Sequence, residues 1–125
     1  MKQITLENLH CTTTEDWLGS DECRLEVYND GELHFAYRHD LNDGEDWAIG
    51  ASLLFAGSCV LRLFDEDGDF PGDDDDALGI VTIGPTDVQH AVATFREDDA
   101  DYTITYSVWD RPDIAQSDLA TFAID

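Results

Sequence analysis

The stretch Val60-Leu61-Arg62-Leu63-Phe64-Asp65-Glu66-Asp67-Gly68-Asp69-Phe70-Pro71-Gly72-Asp73-Asp74-Asp75-Asp76-Ala77-Leu78-Gly79 decides how this chain is read. It opens as a short apolar strand, passes through a loop, and resumes as an apolar run to Ile83. The twelve residues from Asp65 to Asp76 hold seven aspartates and a glutamate. Each close pair of carboxylates repels by up to about 1 kcal/mol even in water. A hard cation with oxygen ligands would offset that cost, and calcium is the simplest candidate.

The rest of the chain is patterned in the same way. Ile4, Leu6 and Leu9 mark a first run, and Leu25 and Val27 a second. Asn29-Asp30-Gly31 is a tight-turn signal, after which Leu33, Phe35 and Tyr37 alternate with Glu32, His34 and Arg38. Trp47–Phe55, broken by Ala56-Gly57-Ser58, is a fourth run, and Cys59–Phe64 a fifth. Leu78–Ile83 is a sixth, and Ala91–Arg96 and Tyr102–Val108 form a last hairpin around Glu97-Asp98-Asp99-Ala100. Short runs with Gly, Asp and Asn at the turns predict an all-β fold, an eight-stranded antiparallel β-sandwich, with a barrel as the alternative. Its 125 residues predict one domain spanning 1–125, with 110–125 as a tail forming a short helix or an extra edge strand.

Three connections carry acid: Thr14–Glu22, His39–Asp46 and Asp65–Asp76. All join an odd run to an even one. In a sandwich of alternating strands such loops emerge at one end, where they can share cations. The long loop does not fit the helix-loop-helix calcium motif. Phe70 stands where that motif requires glycine, Asp76 where it requires glutamate, and the flanks are strands.

The net charge is −23 and the pI about 4.1, which excludes nucleic acid as a partner because phosphate binding needs a positive surface. Aspartate far outnumbers glutamate and Lys2 is the only lysine. Adaptation to high salt would give such a surface, but it does not account for aspartates gathered in loops. The residues around Met1-Lys2-Gln3-Ile4-Thr5 lack the apolar stretch of a signal peptide, and no run approaches a membrane span. A soluble chain is expected, cytoplasmic by default, with secretion after removal of a leader as the alternative. Cys11, Cys23 and Cys59 read as small buried side chains; one disulfide with a thiol left over also fits. His10, His34, His39 and His90 are scattered, and no nucleophile motif accompanies them, so no enzyme is expected. The same spread of oxygen donors, without clustered Cys or His, selects calcium over zinc.

Leu63-Phe64-Asp65-Glu66-Asp67, followed after a gap by Asp75-Asp76-Ala77-Leu78-Gly79, resembles the third calcium loop of C2 domains, the calcium- and lipid-binding sandwiches of synaptotagmins and protein kinase C. Asp16 with Gly19-Ser20-Asp21 is similar to the first loop of that family. The resemblance spans most of residues 4–84 and, because the chain starts at the first-loop strand, implies a permuted topology or a distant relative. It implies Asp16 and Asp21 as first-loop calcium ligands and Asp65, Asp67 and Asp76 as third-loop ligands, with Asp75 or Asp73 auxiliary. It also places Trp17, Leu18 and Phe70 at loop tips, where the family enters the lipid interface; read on their own, Trp17 and Phe70 fold back over the loops. Glu22-Cys23 replaces the family's Pro-Tyr, and the runs flanking Asn29-Asp30-Gly31 carry only Arg24 and Arg38 in place of a polybasic strand. The expected function is a non-enzymatic calcium-binding module in which calcium bridges the acidic loops and orders them, for stability or for docking a protein partner, or membrane lipid through calcium. The alternative is a halophilic acidic adaptor or inhibitor without a specific metal.

Overall fold

The computed structural model of the protein describes residues 1–15, 19–66 and 75–114. They form two antiparallel sheets built from nine strands: β1 (Lys2–Thr13), β2 (Asp21–Asn29), β3 (Glu32–Leu41), β4 (Asp46–Trp47), β5 (Ala51–Phe55), β6 (Cys59–Asp65), β7 (Asp76–Ile83), β8 (Val88–Phe95) and β9 (Asp101–Asp110). The first sheet runs β4-β1-β9-β8, with β5 also paired to β1; the second runs β3-β2-β6-β7. No helix occurs among the described residues.

Alternation makes the sandwich. Along β2, Asp21, Cys23, Leu25, Val27 and Asn29 are buried, while the residues between them face outward. β6 does the same with Cys59, Leu61, Leu63 and Asp65. These meet Ile4, Leu6, Leu9, Phe95, Tyr102 and Ile104 of the opposite sheet in one core. The β2–β3 turn has Asp30 at φ 53° and Gly31 at φ 89°, the two consecutive left-handed residues that match hairpin twist.

The described residues form nine strands where eight are expected, because the Trp47–Phe55 run splits. β1 has a register shift between Leu6 and Asn8 that leaves Glu7 as an extra residue. Opposite it the partner strand breaks: β4 pairs with Leu9 and His10, β5 pairs with Lys2 through Leu6, and Ile49 N–H donates to Glu7 O at 3.0 Å between them. Gly50, at φ 64°, supplies the bend.

Cys11, Cys23 and Cys59 are buried free thiols. Burial pushes the Cys23 and Cys59 thiols up to about 12, so they stay protonated and behave as small apolar groups. Trp47 packs partly buried against the core and stacks on His39 at 5.2 Å, whereas Trp109 is half-exposed near the end of β9. In the tail, residues 111–114 form a turn tied to the start of β1 through Arg111 N–H and Met1 O at 2.8 Å. The expected helix or edge strand beyond it lies outside the described residues.

Candidate metal centre

The connections β1–β2, β3–β4, β6–β7 and β8–β9 meet at one end of the sandwich, and hydrogen bonds fasten them to one another. Thr14 N–H donates to Asp43 Oδ1 at 2.8 Å, and Cys11 and Glu45 are bonded across the β1 and β3–β4 segments. Glu66 N–H donates to Glu22 O at 2.9 Å, and Glu97 N–H of the last turn donates to Leu78 O of β7 at 2.9 Å.

Among the described residues, two groups of carboxylates converge there. Glu15, Asp21 and Asp65 each place a carboxylate oxygen within 4.8 Å of the others, as do Glu15, Asp76 and Asp98. Glu15 belongs to both, so the groups are contiguous. Asp21 and Asp65 are buried to 0% and 1% exposure, Glu15 and Asp76 are half-buried, and Asp98 is exposed. Oxygens sharing a calcium ion at bonds of about 2.3–2.6 Å lie no more than roughly 5 Å apart, so both groups meet the spacing a shared ion requires. Two full charges at that separation repel by on the order of 3 kcal/mol at a protein-like dielectric.

The strand pattern explains why two aspartates are buried. Asp21 begins β2 and Asp65 ends β6, and both occupy inward positions of their alternation. Asp65 Oδ1 accepts Glu22 N–H at 2.8 Å. Asp21 Oδ2 accepts Glu15 N–H at 2.8 Å and the Tyr102 hydroxyl at 2.5 Å. Tyr102 in turn accepts the Cys23 thiol at 3.4 Å.

Of the residues singled out in the sequence, Asp21 and Asp65 fall in one group and Asp76 in the other. Asp75 pairs with Arg24, which also reaches Glu66 and Glu26 and lies over the Phe64 ring at 4.6 Å. Asp16, Asp67 and Asp73, and the tips Trp17, Leu18 and Phe70, lie outside the described residues. In the third acidic connection, Asp43 caps Thr14, and Asp46 accepts the Asn8 amide and the His10 ring, which hold its carboxyl below the usual range. The groups contain two residues that sequence reasoning did not select, Glu15 and Asp98. Asp98 sits between the seventh and eighth runs of the sequence, an odd-to-even connection like the other three, so the rule that gathered three loops applied equally to the fourth.

The histidines fit packing and surface roles. His90 Nδ1 meets Glu7 Oε1 at 2.6 Å, and Ser107 Oγ donates to Glu7 Oε2 at 2.8 Å while accepting His90 N–H at 2.9 Å. The hydroxyl is thus bonded to the carboxylate and the backbone, not to the imidazole, which is not the arrangement of an activated nucleophile. No helix of the described residues is long and apolar enough to cross a membrane.

No family model matches the sequence, and no curated protein does. Solved structures do match the fold. One described as the structure of a C2 domain superposes with a TM-score of 0.63 at 18% identity, over 86% of this chain and 98% of that one. Human group IVD cytosolic phospholipase A2, in complex with methyl gamma-linolenyl fluorophosphonate and terbium chloride, matches with a TM-score of 0.52 at 12% identity, over 89% of this chain and 17% of the phospholipase. With its two antiparallel sheets and acidic connections gathered at one end, the protein has a distant C2-like fold.

Proposed function

We propose that this protein is a non-enzymatic calcium-binding module. Calcium bridges the acidic loops at one end of the sandwich and orders them, for stability or for docking a partner. The observation that carries this reading is the pair of carboxylate groups joined through Glu15, two of whose members, Asp21 and Asp65, are buried side by side inside a strand framework. A donor set made only of carboxylate oxygens suits a hard cation. Asp16, Asp67 and Asp73 lie on the same two loops in sequence and are proposed as further ligands.

The partner is proposed to be a protein before a membrane. Two calcium ions would neutralise about four of the 23 net negative charges, which leaves a surface that anionic lipid still repels. Thermal unfolding tests the function. Calcium at millimolar concentration is expected to raise the melting temperature well beyond what potassium chloride does at matched ionic strength. Terbium chloride offers a second probe, since a hard lanthanide takes oxygen ligands of the same kind.

Composition favours one other reading, an acidic adaptor or inhibitor adapted to high salt, because Lys2 is the only lysine in a chain of net charge −23. That reading predicts equal stabilisation by the two salts.

A further inference from the structure

Tyr102 is fully buried on β9, in the first sheet, and its hydroxyl crosses the core to Asp21 on β2, in the second sheet. Its neighbours in the core are apolar side chains and two thiols. Cys11 is its partner in the β1–β9 register, and Cys23 donates to its oxygen at 3.4 Å. A phenylalanine would fill this volume with no polar atom to desolvate. A buried phenol is costly unless both its donor and its acceptor are used. Both are used here, and the O–H is spent on a carboxylate of the candidate metal centre at 2.5 Å.

We infer that Tyr102 is a positioning residue for the cation site. This rests on the calcium reading above. Asp21 Oδ2 receives two donors, the Tyr102 hydroxyl from β9 and Glu15 N–H from the first acidic loop. The backbone bond ties Asp21 to the segment carrying Glu15, and the phenol ties it to the start of β9, an interior strand of the opposite sheet. Together they fix the rotation of the carboxylate, so that Asp21 presents to a cation in the same orientation in every molecule. Groups that orient ligands in this way typically contribute 10- to 100-fold in metal affinity. Cys23 completes the relay: its thiol lies 3.4 Å from the phenol oxygen as a donor, which leaves the hydroxyl proton directed at Asp21.

The test is calorimetric titration of calcium into the wild type, Tyr102→Phe, Asp21→Asn and the double variant, with the metal-free melting temperature of each. Calcium affinity is expected to fall 10- to 100-fold in Tyr102→Phe, and the cation-free melting temperature to fall as well, because Asp21 loses a buried charge-assisted hydrogen bond. In the Asp21→Asn background the same change is expected to leave affinity unaltered. Saturable calcium binding by the wild type with affinity within twofold in Tyr102→Phe overturns the positioning role and leaves the calcium reading standing. No saturable binding by the wild type overturns both. A measurement on the wild type alone covers the case in which the variant does not fold: the Tyr102 ring carbon bearing oxygen, followed by NMR, is expected to shift along the calcium titration with the binding midpoint. A resonance that stays fixed through saturation overturns the role.

Discussion

Asp76, the first residue of β7, and Asp98, in the turn between β8 and β9, bring carboxylate oxygens within 4.8 Å of each other although their strands belong to different sheets. Glu15 reaches the same point from a third loop. A cation held there would clasp the two sheets at an edge where β7 and β8 are not hydrogen-bonded neighbours in either sheet. Asp98→Asn should therefore remove the weaker of two calcium-binding steps, the one with the exposed ligand, and spare the step that depends on Asp21 and Asp65. Titration calorimetry resolves this as a loss of stoichiometry with the tighter step unchanged. Loss of both steps together would argue against two separate positions.

The sandwich was legible because its strands alternate over most of their length and its turns carry Asn29-Asp30-Gly31 or Gly-rich breaks. The Glu7 bulge was not, since nothing in Leu6-Glu7-Asn8-Leu9 marks which residue a partner strand will skip; the split of β4 from β5 follows from that register and was hidden with it. The acidic end was legible from the parity of the connections. Which carboxylates meet was less so. Asp75 and Asp76 are adjacent and chemically identical, yet one faces Arg24 and the other Glu15 and Asp98. Only the register of β6 against β7, shifted between Leu63 and Phe64, separates them. Tyr102 carries no signal at all in sequence, because an aromatic on an alternating strand reads as core.

Asp65→Asn isolates the buried pair. The asparagine keeps Oδ1 for Glu22 N–H, so the local hydrogen bond survives while one charge is removed. In the absence of divalent cations the variant should melt no lower than the wild type, because a like-charge contact with Asp21 is relieved. Wild type at a calcium concentration 100 times its dissociation constant gains about 2.7 kcal/mol, roughly 10 °C for a domain of this size. The variant should lose most of that gain. Differential scanning calorimetry with and without calcium measures both numbers, and an undiminished calcium response in the variant would remove Asp65 from the site.

Gly79 belongs to the Leu78-Gly79 sequence that closes the long acidic loop, and its reason is steric. A Cβ there would lie 2.9 Å from Phe95 Cα and 3.0 Å from Phe95 Cβ, and its φ is +148°. The clash is with backbone of the opposite sheet, which cannot rotate away. Gly79→Ala should destabilise by about 2–4 kcal/mol, combining overpacking with an unfavourable φ. Chemical denaturation gives the value. Because the effect runs through packing, calcium should stabilise the variant by as much as it stabilises the wild type.

Asp30 ties the far end of the sandwich together. Its carboxylate accepts Gly57 N–H at 2.7 Å, Ala56 N–H at 2.8 Å and Ser58 N–H at 3.1 Å, which closes the β5–β6 turn against the β2–β3 turn. Partial burial alone would raise its pKa, but the three backbone donors outweigh it and hold the carboxyl below its usual value. A carboxylate with a depressed folded-state pKa stabilises above its unfolded value, about 3.9, and loses that contribution as pH falls through the depressed value. Asp30→Asn tolerates the left-handed φ of 53° but gives up the ionised acceptor of Ala56. It should cost roughly 1–2 kcal/mol at neutral pH. The difference between wild type and variant should hold constant down to about pH 5, narrow below about pH 4, and vanish once the wild-type carboxyl is protonated. Urea denaturation across that range reads the window, and because the site is at the opposite end from the acidic loops, calcium should leave the difference unchanged.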